Sequence, residues 1–207
     1  IEEEVREYSN TQEENIILRN LTVNDVSNSN PSNDGGFTLR EEYSGDYLTF
    51  GISDYGEIMP LQFLGNEFLA IGSWVSGYTV GYIDITGDVW IYYAGWDVWN
   101  GIIPISYTEI VNDDNEVIVE VITQTEGGEI VIVRTFTFER SEKYVQIHTS
   151  LINQSEAILQ GVIFKSFADW DIDNDYEDDS FDYDLERNMV YAWDINYGGI
   201  TSEDIPV

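Results

Sequence analysis

The chain has 207 residues, 43% of them hydrophobic and 14% aromatic, and carries 40 acidic against 8 basic side chains for a formal net charge of -32. That apolar content sets it apart from disordered chains of high charge, and the length suits one domain with a proper core. A surface this acidic excludes nucleic acid as a partner, since phosphate binding requires a basic face that releases counterions.

Residues 1–15, IEEEVREYSNTQEEN, are polar and acidic, and they read as an extended N-terminal arm that is disordered or becomes ordered on a neighbour. The rest, 16–207, reads as a single β-sandwich domain. A first strand is expected at Ile16 to Val23, followed by a loop from Ser27 to Gly36 rich in Ser, Asn, Asp and Gly. From Phe37 onward, short apolar and β-branched runs are punctuated by Gly, Asn and Asp at intervals of about ten residues, the spacing of sandwiches and barrels.

The runs predict strands near 37–43, 46–53, 57–64, 67–72, 77–84, 88–94, 102–111, 116–125, 129–139, 143–153, 158–168 and 189–195. Turns such as Asp54-Tyr55-Gly56, Gly87-Asp88 and Glu126-Gly127-Gly128 separate them as hairpin loops do. From Ile110 to Asn153 the pattern is a meander of three long antiparallel strands, with clear alternation in Val117-Ile118-Val119-Glu120-Val121 and from Arg134 to Arg140. No segment sustains a 3.6-residue period with caps. The fold class is therefore all-β, an antiparallel β-sandwich.

Between Lys165 and Arg187, the run from Asp169 to Asp184 holds nine carboxylates and no basic residue. Like charges about 4 Å apart repel by about 1 kcal/mol even in water, which favours an expanded loop or a captured cation. Calcium suits capture, because it takes six to eight oxygen ligands from alternating loop positions. Taking Asp171 first, the ligands are Asp171, Asp173, Asp175, Glu177, Asp179 and Asp182, in the order of an EF-hand loop. Tyr176 stands where that loop has Gly, and no helices flank the run. A register beginning at Asp169 or Asp173 works as well. Aromatic residues between the acids suggest an anchored loop; a solvated acidic loop without a specific ion is the plain alternative. A weaker acidic turn, Asn112 to Glu116, reads as a hairpin loop.

Catalytic constellations are poorly represented. One His, two Lys and no Cys leave little material for a nucleophile and base, and exclude disulfides and thiolate metal sites. His148 is expected on the polar face of its strand. Among many carboxylates, Asp84, Asp88, Asp97 and Asp194 lie near Trp or Tyr, as in sugar-binding clefts. The aromatic band Trp74, Tyr78, Tyr82, Trp90, Tyr92, Tyr93, Trp96 and Trp99 reads as core packing with rim tryptophans. Trp74, Trp90, Trp96 and Trp99 are the candidates for a sugar-stacking or subunit surface. The chain is accordingly read as a non-enzyme.

Two stretches carry a resemblance. Leu48-Thr49-Phe50-Gly51-Ile52-Ser53-Asp54-Tyr55-Gly56-Glu57-Ile58, with Gly65-Asn66-Glu67-Phe68-Leu69, and Val133 to Phe138 running through Tyr144 to Asn153 are similar to strands of galactose-mutarotase-like supersandwich domains. The resemblance covers about half of the chain and implies a large β-sandwich; the catalytic His and Glu of the mutarotases have no counterpart. Asp169-Trp170-Asp171 after such a meander resembles acidic loops of exported archaeal and bacterial cell-surface proteins, including S-layer-associated ones.

A start at Ile1 reads as a processed N-terminus, and the sequons at Asn20 and Asn153 fit an exported glycoprotein. No apolar run reaches the roughly 20 residues of a membrane span, so membrane insertion is not expected. The expectation is an extracellular or cell-surface structural subunit, self-assembling into a filament or lattice, with calcium neutralising the acidic run. A carbohydrate-binding or carbohydrate-processing sandwich is the alternative, with glycans as its partners.

Overall fold

The computed structural model describes residues 39–69, 76–95, 98–168, 180–184, 189–194 and 198–203, which form an all-β antiparallel sandwich with no helix among them. The expected strand at 16–23 and the arm lie outside these residues. The first sheet contains β1 (Leu39–Ser44), β2 (Leu48–Ser53), β3 (Ile58–Phe63) and β4 (Asn66–Glu67) in sequential order. Next along the chain come β5 (Ser76–Ile83), β6 (Val89–Gly95) and β7 (Val98–Asn100), and then the long strands β8 (Ile102–Asn112), β9 (Glu116–Thr125), β10 (Ile130–Glu139) and β11 (Gln146–Asn153). The chain returns as β12 (Gln160–Ala168), which joins the free side of β5 in a sheet of order β12-β5-β6-β7. A last sheet runs β13 (Ser180–Asp184), β14 (Met189–Asp194) and β15 (Gly198–Glu203).

The meander β11-β10-β9-β8 is the organising layer. Its alternation sends Val117, Val119 and Val121 of β9 to one face, where they stand opposite Phe138, Phe136 and Arg134 of β10. Further along the same face, Thr123 stands opposite Ile132. Half of this face covers the first sheet: Tyr43, Leu48, Phe50 and Ile52 pack on the three valines and on Phe136 and Phe138. The other half covers β5 and β6, where Tyr78, Val80, Tyr82, Tyr92 and Ala94 pack with Ile102, Ile130 and Ile132. Two short sheets thus share one long one. Each fully buried Phe or Ile contributes about 1.5–3 kcal/mol, and Phe50 meets the Phe138 ring edge-on at 5.1 Å between centroids.

Two polar ties pin the layers. The Tyr43 hydroxyl, buried on β1, donates to Glu109 Oε1 of β8 at 2.6 Å. The Tyr78 and Thr123 hydroxyls meet at 2.8 Å in the core between β5 and β9. Tyr78→Phe is expected to destabilise the protein by about 1–2 kcal/mol, because it strands the Thr123 hydroxyl in an apolar surrounding. Thermal unfolding of the two proteins measures it, and Tyr78→Phe with Thr123→Val should recover much of the loss.

The expected meander is present, with β8 as its fourth strand. Of the expected strand at 67–72, the ladder of β4 takes in Glu67 and the Phe68 N–H still donates to the Leu61 carbonyl at 2.9 Å, while Glu67 Oε1 accepts the N–H groups of Leu61 and Leu69; residues 70–72 lie outside the described residues. Strands β7, β13 and β15 were not expected. The second of these occupies the end of the acidic run, where Ser180–Asp184 pairs with β14.

Candidate functional site

The two short sheets abut where β3 and β5 begin, and Ser76 Oγ donates to the Ile58 carbonyl across the join at 2.5 Å. This seam lies over Arg134, between the two halves of the core. Gly56, at φ 75° in the turn after β2, takes a left-handed conformation that allows the chain to reverse and delivers Glu57 into the seam. Gly77 keeps the first turn of β5 close to its neighbours, since a Cβ there would lie 2.2 Å from the Ala94 carbonyl oxygen and 2.6 Å from the Phe167 ring.

The result is a cleft of about 360 Å³ with an apolar wall and a charged floor. Glu57 is 1% exposed and Arg134 5% exposed. Ser53 Oγ donates to Glu57 Oε2 at 3.3 Å and accepts the Glu57 backbone N–H at 3.2 Å. The guanidinium of Arg134 donates through Nη1 to the Gly56 carbonyl. Its central carbon lies 5.1 Å from the ring centre of Tyr78, 5.3 Å from that of Phe136 and 5.9 Å from that of Phe164. Among the described residues, two buried atoms, Glu57 Oε1 and Arg134 Nε, have no hydrogen-bond partner. Burial pushes the Glu57 carboxyl up to about 8, against the opposing pull of the Arg134 charge and the Ser53 hydrogen bond. Burial also lowers the Arg134 pKa, opposed by Tyr78 and Glu57.

A second feature lies on the outward face of the sheet β12-β5-β6-β7. Ile83 stands opposite Val89, while Gly81 stands between Ile91 on β6 and Ile163 on β12. These four apolar residues point away from the long sheet, because their neighbours Tyr82, Val80 and Tyr92 point into it. Val89 is 67% exposed and Ile91 57%. Ile85 and Ile158, in the adjoining connections, are also exposed. Lys165 lies on the same face, opposite Thr79, and no carboxylate projects from the strand positions between them.

Of the residues expected to bind calcium, Asp169, Asp171, Asp173, Asp175, Glu177 and Asp179 lie outside the described residues. Asp182 is on β13, exposed and opposite Tyr191, so the end of the run is strand and not loop. Among the described residues no group of three or more His, Asp or Glu side chains is placed to hold a metal ion. The Asn112–Glu116 turn is a closed hairpin loop: Asp113 Oδ1 accepts the N–H groups of Asn115 and Glu116, and Arg140 donates to the Asp113 carbonyl and to Asn112 Oδ1.

Trp74, Trp96, Asp97 and the sequon at Asn20 also fall outside. Trp99 is on β7 opposite Ala94, and Asp194 ends β14 opposite Gly198. Trp90 is 43% exposed at the rim, stacked nearly parallel on Tyr92 at 6.4 Å between ring centres. Its indole N–H donates to Asp84 Oδ2 at 2.9 Å, and Asp84 Oδ1 accepts from the Thr86 hydroxyl and from the backbone N–H groups of Thr86 and Asp88. Hydrogen bonds from Thr86 and Trp90 hold the Asp84 carboxyl down at about 2, which suits a turn anchor and not a general acid. Asn153 ends β11, exposed, with Nδ2 donating to the Ala157 carbonyl and Oδ1 accepting from Ser155. His148 stands opposite Thr135 on the exposed side of β11, with Nε2 3.2 Å from Ser150 Oγ.

Sequence reasoning passed over Glu57 and Arg134. The signal for Arg134 was present: it shares strand parity with Ile132, Phe136 and Phe138, a charge at a position the pattern reserves for the core. Comparison of the chain with protein-family models, with curated proteins and with solved structures gives no match. Among the described residues, fold and site together define an acidic antiparallel β-sandwich with a buried Glu–Arg cleft and an apolar outer face.

Proposed function

We propose that this chain is an exported, non-catalytic structural subunit that assembles with copies of itself at the cell surface, through the outward apolar face of β5, β6 and β12, with calcium held by the acidic run. The observation that carries this reading is the face itself. Among the described residues, Ile83, Val89, Ile91 and Ile163 leave large apolar side chains in water on one side of a protein of net charge -32, and Ile85 and Ile158 in the adjoining connections are exposed as well. Contiguous exposed apolar surface marks interaction sites, and an extended sheet face suits a second sheet packed about 10 Å away. Elsewhere the charge opposes contact between copies, so a face on which Lys165 is the one ionic group among the described strand positions is where two copies meet at least cost. Divalent cations then neutralise what remains.

Light scattering of the full chain with calcium and with EDTA tests this. Calcium is expected to drive assembly and EDTA to reverse it, with Ile91→Asp weakening association at least about tenfold, or roughly 1.4 kcal/mol. Monomers in both conditions would contradict the proposal. The exposed Trp90–Tyr92 stack favours a second reading, a carbohydrate-binding surface. Quenching of tryptophan fluorescence by members of a glycan panel, lost in Trp90→Ala, supports that reading.

A further inference from the structure

We propose that the cleft at the seam of the two short sheets is a binding site for a small monocarboxylic acid with an apolar tail, its carboxylate seated between Arg134 and Glu57. The proposal does not rest on the assembly face: its polar groups, Glu57 and Arg134, are buried, whereas Val89 and Ile91 stand exposed on the outer side of β6.

Three observations converge. The first is room: a cleft of about 360 Å³ lies in the range of small-molecule sites, which are lined mostly by apolar side chains with a few polar groups that fix orientation. Here Ile58, Leu61, Leu69, Ile147 and Phe167 supply the apolar wall, and Glu57 and Arg134 line the same space.

The second is unmet hydrogen bonding. Buried polar atoms are almost always paired, because each unpaired one costs about 1–3 kcal/mol. Among the described residues neither Arg134 Nε nor Glu57 Oε1 has a partner, and both lie in one cleft. A single group can serve both: a carboxylate accepts from Arg134 Nε with one oxygen and from the protonated Glu57 carboxyl with the other.

The third is charge. Besides burial, the groups acting on Glu57 are Arg134 from β10 and the Ser53 hydroxyl from β2, and Tyr78 of β5 and Tyr55 of the preceding turn are near enough to feel its charge. Of these only Arg134 is charged, and Glu57 stays largely neutral up to about pH 8. Near neutral pH the cleft therefore holds one buried positive charge that no ion pair among the described residues closes. A buried charge is costly unless paired, and one monoanion offsets it. A phosphate dianion would bury an excess negative charge. A primary amine would repel Arg134 and leave Nε without an acceptor. An alcohol meets the hydrogen-bonding need and not the charge.

Titration calorimetry of the full chain with hexanoate, hexanamide and hexylamine tests the proposal. Hexanoate is expected to bind saturably at one site per chain near pH 6.5, the amide at least about tenfold more weakly, and the amine not at all. Above about pH 8, hexanoate affinity should fall by about tenfold per pH unit as Glu57 loses its donor proton. Glu57→Gln preserves the shape and supplies an amide donor, so it should bind hexanoate with that loss abolished. Arg134→Met should lose binding while retaining the circular dichroism of the folded sheet. If Arg134→Met does not fold, the Glu57→Gln pH profile decides alone. The proposal is overturned if wild type gives no saturable heat with hexanoate, if hexylamine binds as well as hexanoate, or if Glu57→Gln keeps the wild-type loss at high pH.

Discussion

Arg134→Met is expected to lower the unfolding free energy by about 3 kcal/mol at pH 7, among the largest losses for one side chain in this fold. The guanidinium donates to the Gly56 carbonyl, and a hydrogen bond from a charged donor contributes about 1.5–3 kcal/mol. It also faces the rings of Tyr78, Phe136 and Phe164, and a desolvated cation–π contact contributes about 2 kcal/mol. Against these stand the cost of burying the charge and the unpaired Nε, both of which the substitution removes, so the net loss is less than the sum. Methionine retains an unbranched apolar stem against Val121, so the effect reads the charged head and not a cavity. Urea unfolding gives the value, with the m-value unchanged. A loss under about 1 kcal/mol would mean that the head contributes almost nothing beyond its own desolvation.

The strands were legible because hairpin sheets announce themselves locally. The strands β2, β9 and β10 follow from alternation and from the turns that bound them, and the glycines of those turns, such as Gly56 and Gly128, take the positive φ that their position requires. The seam was not legible, because alternation assigns a residue to a face and is silent on which sheet will cover it. Val121 and Arg134 are partners in one ladder, yet what makes their location special is that two separate sheets end above them. The acidic run hid β13 for a related reason: Phe181 and Tyr183 alternate with Asp182 and Asp184, a strand pattern read for its charges. Likewise Val89-Trp90-Ile91-Tyr92 is apolar at every position, so sequence could not say that one parity packs on the meander while the other is left in water.

Glu57→Gln is expected to reshape the pH dependence of stability, and the sign follows from the proton count. The folded state holds the Glu57 proton up to about pH 8, whereas the unfolded chain releases it near the ordinary value of 4.5. Between these values the folded protein binds more protons than the unfolded one, so stability falls as pH rises through that window. At about 1.4 kcal/mol per pKa unit, the whole window is worth roughly 3–5 kcal/mol, a large share of what a domain of this size possesses. Glutamine cannot titrate and keeps the acceptor that receives the Ser53 hydroxyl. The variant should therefore match wild type near pH 4.5 and become progressively more stable than it up to pH 8, with the gap constant above. Thermal melts across that range measure the gap. Parallel curves for the two proteins would place the Glu57 carboxyl within reach of water, and with it the floor of the cleft.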